Sequence, residues 1–514
     1  MVGHETAPGK NEFSAIGARK EANRLFLKEQ DLVGALELYN KSLCLSPVGS
    51  ENIGICYANR SAVFFESGFY QFCLDNIELA LENNYPEQLK PKLEARRLKC
   101  LELMKNPKKS DEIKLPIQLS YPANKKNPLV IDGIELKTSE EFGRHIRAKR
   151  DLYPGDVVII DKPFFKSLDE NFVYKFCNNC HETNLLNLFP CKNCITTMYC
   201  GSECEKEAWK RFHKFECNSV GLDLFPLPIR AALMTFTLFN DVEKLRNLIE
   251  SISKNQTTAF DIPRKDEIET FKAVYTLETH RSERSLEENF TRSMILAQSW
   301  HFLQYQSALR ALLKTSEDEN LFLNTLFHFS LICTTNSHEI FSSKSNGNDR
   351  IGSALNPILS LVNHSCAANV CPFYVNQQFL LVVVRNIKTG DQLFDNYGPH
   401  HQSENLAQRQ ARLSTRFFKC KCEACEKNYP LLENSPVKSL SGFDKMQKVG
   451  EKLINFYDTR ATFEYYKKCV KFFKKFGDYY PCLELLIVQS NLIRCMRILF
   501  EPTPLEVQFK SSKK

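Results

Sequence analysis

The chain has 514 residues, 43% of them hydrophobic, and a formal net charge of +7. That length accommodates about three or four domains, and so modest a charge argues against a dedicated nucleic-acid binder. No apolar run reaches membrane-spanning length, since LELLIVQSNLIRCMRILF is broken by Glu, Gln, Asn and Arg. The opening MVGHETAPGKNEFS has no apolar signal core, so the 20 cysteines are expected in a reduced metal binder rather than a disulfide scaffold.

The first predicted element is an internal repeat. ARKEANRLFLKEQDLVGALELYNKSLCLSP sets Ala22, Phe26, Leu32, Ala35, Tyr39, Ser42 and Pro47 in the small/large alternation of a tetratricopeptide repeat, two antiparallel helices per unit. CYANRSAVFFESGFYQFCLDNIELALENNYP repeats it in phase with Ala62, Phe65, Gly68, Tyr70, Cys73, Ile77 and Ala80. EQLKPKLEARRLKCLELM caps the stack. Residues 105–128, rich in Lys and Pro, read as a linker. Strands are expected in LVIDGIEL, HIRAKR and DVVIIDKPFF, the last after a Pro154–Gly155 turn. Residues 219–330 read as almost wholly helical, FLLVVVRNI and DQLFDNYG as strands, and the chain from 441 onward as helical again.

Between the strands and the helices lie eight metal-ligand residues: Cys177, Cys180, Cys191, Cys194, Cys200, Cys204, His213 and Cys217. Zinc takes four soft or borderline ligands in a tetrahedron, and a C-x2-C turn offers two thiolates from one knuckle. Eight ligands predict two closed, structural zinc ions. His213 and Cys217 stand four apart, on one side of a predicted helix. Lys175, Lys192, Lys206, Lys210 and Lys214 stand among the ligands, where their charge is expected to offset that of the thiolates. Spacing alone allows either sequential or interleaved pairing.

The ligand order resembles a MYND finger, a docking module with no chemistry of its own. The resemblance implies interleaved sites, Cys177, Cys180, Cys200 and Cys204 holding one zinc and Cys191, Cys194, His213 and Cys217 the other. Three further segments are EEFGRHIRAKRDLYPGDVVIIDKPF, NPILSLVNHSCAANV and GDQLFDNYGPH. Together they resemble a SET domain, the fold of many protein lysine methyltransferases. With the finger between the first segment and the others, the chain is similar to the SET-and-MYND family, in its repeat-bearing branch.

The resemblance implies an α+β multidomain fold, a SET β-fold split by the finger and a helical insert. The expected divisions are repeats over 13–104, the linker 105–128, the first SET part 129–176 and the finger 177–217. A helical insert 218–330, the second SET part 331–400, a zinc tail 401–426 and a helical, repeat-like domain 427–514 follow. In SET proteins with a C-x-C-x2-C tail, here Cys420, Cys422 and Cys425, the cysteine of the NHSC segment supplies the fourth ligand, here Cys366. Three zinc ions are therefore expected.

The implied activity is S-adenosylmethionine-dependent N-methylation of lysine on histone or non-histone proteins, in transcriptional regulation, with a nuclear and cytoplasmic localisation. The cofactor carries its own electrophile, so the protein has to bind, align and desolvate. A narrow apolar channel lowers the lysine pKa, ordinarily about 10.4, and frees the amine. By resemblance Tyr397 is the phenol that orients the amine, and Asn363 and His364 hold the cofactor's amino-acid and adenosine parts. Asn336 contacts the cofactor at the end of the helical insert, Gly143 and Arg144 form the turn that approaches it, and Phe418 stacks on adenine. The chain departs from the pattern at His145, where a second glycine is usual, and at Ala368, where a proline is usual.

Those departures sustain a second reading, an adaptor that recruits a histone deacetylase or other corepressor through finger and repeats. Some tetratricopeptide stacks grip a chaperone's acidic C-terminus with basic and amide side chains. Repeat phase gives this chain Arg19, Asn23, Asn59, Lys92 and Arg96 for such a clamp, with the Hsp90 terminus as the implied partner.

Overall fold

The computed structural model describes residues 9–105, 112–219, 222, 224–239, 241–252, 260, 267–342, 349–453, 458–500 and 509. Residues 106–111 of the expected linker, several short stretches of the expected helical insert, 343–348 of the expected second SET part, and 454–457, 501–508 and 510–514 of the expected C-terminal domain lie outside them.

The chain opens with five helices: α1 (Glu12–Arg24), α2 (Leu32–Leu45), α3 (Glu51–Glu66), α4 (Tyr70–Glu82) and α5 (Lys90–Leu103). The first three are started by side chains that accept from orphan amides: Asn11 from Ser14, Asp31 from Gly34 and Ser50 from Asn52. Each packs on the next in antiparallel pairs, around Ala22, Leu36, Tyr39, Phe64, Ile77 and Ala80. At Gly54 a Cβ would stand 2.3 Å from the Asn83 carbonyl, so only glycine admits the chain leaving α4. Residues 112–128 contain no helix or strand, yet Leu115 donates to Leu499 and packs, with Ile117, against the C-terminal helices.

Strands β1 (Ile134–Ser139) and β2 (Gly143–Ala148) form a hairpin, followed by β3 (Val157–Asp161) and β4 (Phe165–Leu168). The expected strand LVIDGIEL is shorter, because Asp132–Gly133 turns the chain before Ile134. The cysteine-rich segment contributes β5 (Phe189–Pro190), β6 (Met198–Tyr199), α6 (Ser202–Ala208) and α7 (Lys214–Glu216). Then come α8 (Pro226–Phe239), α9 (Val242–Ile252), α10 (Glu267–Tyr275), α11 (Leu286–Leu303), α12 (Ser307–Arg310) and α13 (Ser316–Asn336). The helical stretch thus runs to Asn336 rather than 330, since α13 is a 21-residue helix opened by a Thr315–Asp318 capping box.

Four strands that the sequence did not signal follow: β7 (His338–Ser342), β8 (Asp349–Leu355), β9 (Asn363–His364) and β10 (Val370–Val375). β11 (Gln378–Val383) and β12 (Phe394–Asp395) complete the set, and DQLFDNYG holds only that two-residue strand. The sheets are β10-β11-β3, β4-β8-β7 and the parallel pair β12-β9. β11 explains its own unbroken apolar run. Phe379, Leu381 and Val383 face the central core, while Leu380 and Val382, with Val384 just beyond, face the C-terminal helices. After α14 (Leu406–Ser414) and α15 (Glu423–Glu426), those helices are α16 (Phe443–Leu453), α17 (Thr459–Phe476) and α18 (Leu483–Phe500).

The cysteine-rich segment is locked to the front helices by a fully buried arginine. Arg60 on α3 donates to Asn76 Oδ1, Asn40 Oδ1 and the Leu188 carbonyl, each at 2.7 Å, and to Asn187 Oδ1 at 2.8 Å. Asn40 donates to the Tyr174 and Leu186 carbonyls, and Leu186 itself lies in the front helical core.

Candidate functional site

Twelve ligand residues fall into three groups whose donor atoms lie within 4.8 Å of one another. Cys177, Cys180, Cys200 and Cys204 form one; Cys191, Cys194, His213 and Cys217 the second; Cys366, Cys420, Cys422 and Cys425 the third. The first two interleave along the chain because the β5–β6 hairpin and α6 fold back over the first knuckle. With zinc–sulfur bonds of about 2.3 Å a tetrahedron has edges of roughly 3.8 Å between sulfurs. The pairs Cys180–Cys200 (3.6 Å), Cys191–Cys217 (3.9 Å) and Cys366–Cys425 (3.6 Å) fit that edge. His213 offers Nε2 at 3.3 Å from Cys191 and 3.6 Å from Cys194. All the cysteines are free thiols, so the close sulfurs are available to metal.

The expected charge offset is only partly met by the lysines among the ligands. Lys175 pairs with Glu37 and Lys206 with Glu203, because acids lie within their reach. The cation beside the first group is instead Lys166, whose Nζ donates to the Cys180 carbonyl at 3.0 Å. Burial pulls its pKa down to about 8.

The third group joins the tail to the segment before it. The parallel β9–β12 pair sets Asn363 opposite Phe394 and His364 opposite Asp395, which brings Tyr397 onto His364. The Tyr397 amide donates to His364 Nδ1 at 2.9 Å, and its phenol donates to the Val362 carbonyl at 2.7 Å. His364 Nε2 lies 3.4 Å from the Cys366 sulfur, and burial holds the imidazole down at about 4. Burial also pushes the Tyr397 phenol above its ordinary range.

Around this pair the other expected residues converge. Asn363 donates to the Phe142 carbonyl at 2.8 Å, next to Gly143, whose φ of 57° suits glycine and whose Cα faces open space. Arg144 donates to the Thr276 carbonyl at 3.4 Å. Asn336 ends α13 and donates to the Glu278 carbonyl at 2.7 Å, while its own carbonyl accepts from Ser360 at 3.1 Å. The Phe418 ring lies 6.1 Å from His364 and 6.5 Å from Tyr397. Seven residues from separate segments thus form one contiguous site. His145 fills the position of the missing glycine with a buried imidazole, and Nδ1–H donates to the Gly143 carbonyl at 3.0 Å. It braces the turn from within.

Four contributors escaped the sequence reading. Glu278 and His280 come from the loop after α10, where His280 packs on Phe417 at 5.2 Å. Arg416 lies over the Tyr397 ring at 5.4 Å. None belongs to a compact motif, although two acids, a histidine and two arginines between helices in LETHRSER were a visible signal. On one side Tyr397 and Asn336 open into a cavity of about 830 Å3 that reaches Gln489 and Arg497 on α18, with Tyr374 and Phe379 on its wall. Ala368, where proline is usual, also lines it.

The expected clamp residues bond chiefly across to neighbouring helices of the stack. Arg19 donates to Asn52, Asn59 donates to Asn23, and Arg96 donates to the Ala58 carbonyl and Ser61. Lys92 is exposed.

Residues 177–217 match the MYND finger family model. A mixed helix-and-sheet protein built around a MYND zinc finger is thereby defined. The chain is 25% identical over 539 residues to Protein-lysine N-methyltransferase SMYD4 of Mus musculus, covering 81% of this chain and 67% of that one. It is 24% identical over 372 residues to N-lysine methyltransferase SMYD2 of Gallus gallus, covering 72% and 75%. Histone-lysine N-methyltransferase ASHR1 of Arabidopsis thaliana is 26% identical over 285 residues, covering 55% and 53%. The chain is thus similar to the SET-and-MYND (SMYD) protein-lysine methyltransferases, and its front helices fit the SMYD4 branch.

Proposed function

We propose that the protein is an S-adenosylmethionine-dependent protein-lysine N-methyltransferase acting on histone or non-histone proteins in nucleus and cytoplasm. The observation that carries the reading is the convergence of Asn363, His364, Tyr397 and Phe418 on one site that opens into the cavity. In this reading the SET fold comprises residues 129–176 and the strands after Asn336, split by the finger and the helices α8–α13. Each of the three four-ligand groups holds a structural zinc ion.

S-adenosylmethionine, when bound, supplies a methyl group on a sulfonium. Asn363, His364, Asn336, Gly143 and Arg144 hold its amino-acid and adenosine parts, and Phe418 covers the adenine. Gly143 fits that task because open space faces its Cα. The aromatic wall of the cavity strips water from an incoming lysine, which favours the neutral amine. Tyr397 orients that amine, and its backbone amide is itself held by His364. Calorimetric titration of S-adenosylmethionine into wild type and Asn363→Ala tests the proposal, with binding expected only in the former.

An additional recruiting role is supported by Trp209, a large aromatic 43% exposed on the finger's helical segment. The proposed partner there is a corepressor such as a histone deacetylase. At the front helices Lys92 is the exposed cation for an acidic Hsp90 terminus. Trp209→Ala should weaken corepressor capture without altering S-adenosylmethionine binding.

A further inference from the structure

The walls of the cavity beside Tyr397 carry a charge pattern that the reaction does not require. Four arginines line it, Arg350, Arg412, Arg416 and Arg497, against two acids, Glu339 and Asp395. Two of the four are already neutralised: Arg350 pairs with Glu339 and Asp169, and Arg412 with Glu404. Among the described residues no carboxylate forms an ion pair with Arg416 or Arg497. Asp395 is 6% exposed and its carboxylate accepts from the Asn396 amide, so it offers little to a ligand. The accessible acid, Glu339, is committed to Arg350.

The two unpaired cations stand on different elements. Arg416 lies over the Tyr397 ring. Arg497 is exposed on α18 and shares a helix face with Gln489 and Ile493, which line the same cavity at four-residue spacing. A polypeptide threading this cavity with its lysine at Tyr397 therefore passes one free guanidinium beside the lysine and another further along.

We infer that the site selects lysines flanked by acidic residues, with Arg416 and Arg497 pairing carboxylates of the substrate chain, and that it disfavours arginine-rich segments. This rests on the methyltransferase reading only in placing the lysine at Tyr397. A planar guanidinium meets a carboxylate bidentately, giving register as well as attraction. Like charges across a low-dielectric cleft penalise a basic flank by the same mechanism. Nucleic acid is the poorer fit, because strong phosphate binding needs many neutralising cations and this cavity has two.

Fluorescence anisotropy with the zinc-loaded full chain tests the inference without any methyl transfer. The probes are labelled peptides of equal length with one central lysine, flanked either by Glu and Asp or by Arg. Wild type should bind the acidic peptide at least about tenfold more tightly, and added salt should erode the difference. Arg497→Glu should abolish the preference and Arg497→Lys should keep most of it, while calorimetric S-adenosylmethionine binding stays unchanged in both. Equal or tighter binding of the basic peptide overturns the inference. So does an unaltered preference in Arg497→Glu, or displacement of the acidic peptide by a short DNA duplex. Absence of S-adenosylmethionine binding instead strikes the methyltransferase reading and leaves the peptide result standing.

Discussion

The Tyr397 amide donates to His364 Nδ1 at 2.9 Å, which leaves the imidazole proton on Nε2, 3.4 Å from the Cys366 sulfur. One buried ring therefore ties the tyrosine segment to a ligand of the tail cluster, as a neutral imidazole at pH 7. A metal held by the tail cluster would therefore be coupled to the geometry at Tyr397 through two hydrogen-bond contacts.

That coupling predicts what loss of the third metal does. Elemental analysis should return about three zinc ions per wild-type chain and about two for Cys420→Ser. The same variant should bind S-adenosylmethionine roughly tenfold or more weakly, in line with the usual effect of disturbing a site's supporting shell. Two zinc ions in gently purified wild type would remove the third site from the account.

Tyr397 and Asn363 should separate chemistry from binding. Tyr397→Phe is expected to lower turnover by about 10²-fold, the scale of losing one oriented polar group at a reacting centre. Its S-adenosylmethionine affinity should stay near wild type. Asn363→Ala should lose that affinity, because its amide no longer secures the Phe142–Gly143 turn. Wild-type turnover in Tyr397→Phe on a verified substrate contradicts the assignment.

Asp395 makes a stability prediction with a definite sign. Burial raises its pKa to about 7, against an ordinary value of about 3.9. Between these values the folded protein keeps a proton that the unfolded chain has lost, so stability falls as pH rises through that window. The penalty is fully present above about pH 7. Asp395→Asn should exceed wild type in stability at pH 8, by on the order of 2–4 kcal/mol, and the gap should narrow towards pH 5. Urea unfolding at the two pH values checks this; a gap independent of pH refutes it.

Arg60 is expected to be the costliest single loss outside the metal sites. Replacing it with methionine strands acceptors on Asn40, Asn76 and Leu188 in a dry interface, while Asn187 keeps its bond from Asn76. At about 1–3 kcal/mol per stranded group, partly relieved by relaxation, the loss should be about 3–5 kcal/mol. Chemical unfolding measures it, and limited proteolysis should then cut between the front helices and the finger. A change below about 1 kcal/mol would mean that the interface is held by packing alone.

The metal ligands were the most legible part of the chain, because eight of twelve lie within one short segment. The repeats were legible too, since each carries its small/large alternation locally. Asn363, His364 and Tyr397 needed a family likeness, because an NHS or NYG triplet has no chemistry until the parallel β9–β12 pair brings the two together. Glu278, His280 and Phe417 could not be assigned roles from the sequence, because those roles arise from loop-to-loop contacts. Strands β8 and β10 were missed for local reasons, Gly352 in one and Pro372 in the other breaking the alternation that signals a strand. Helix phase singled out Arg19, Asn59 and Arg96, but it could not reveal that neighbouring helices present partners for them.

The most direct test is transfer of an isotopically labelled methyl group from S-adenosylmethionine to a protein array by the zinc-loaded full chain. Mass spectrometry should then place the label on lysine Nζ. Labelled lysines are expected with wild type, and about 10²-fold less label with Tyr397→Phe. A wild-type protein that binds S-adenosylmethionine yet labels no lysine, or a Tyr397→Phe variant that labels at the wild-type rate, would contradict it.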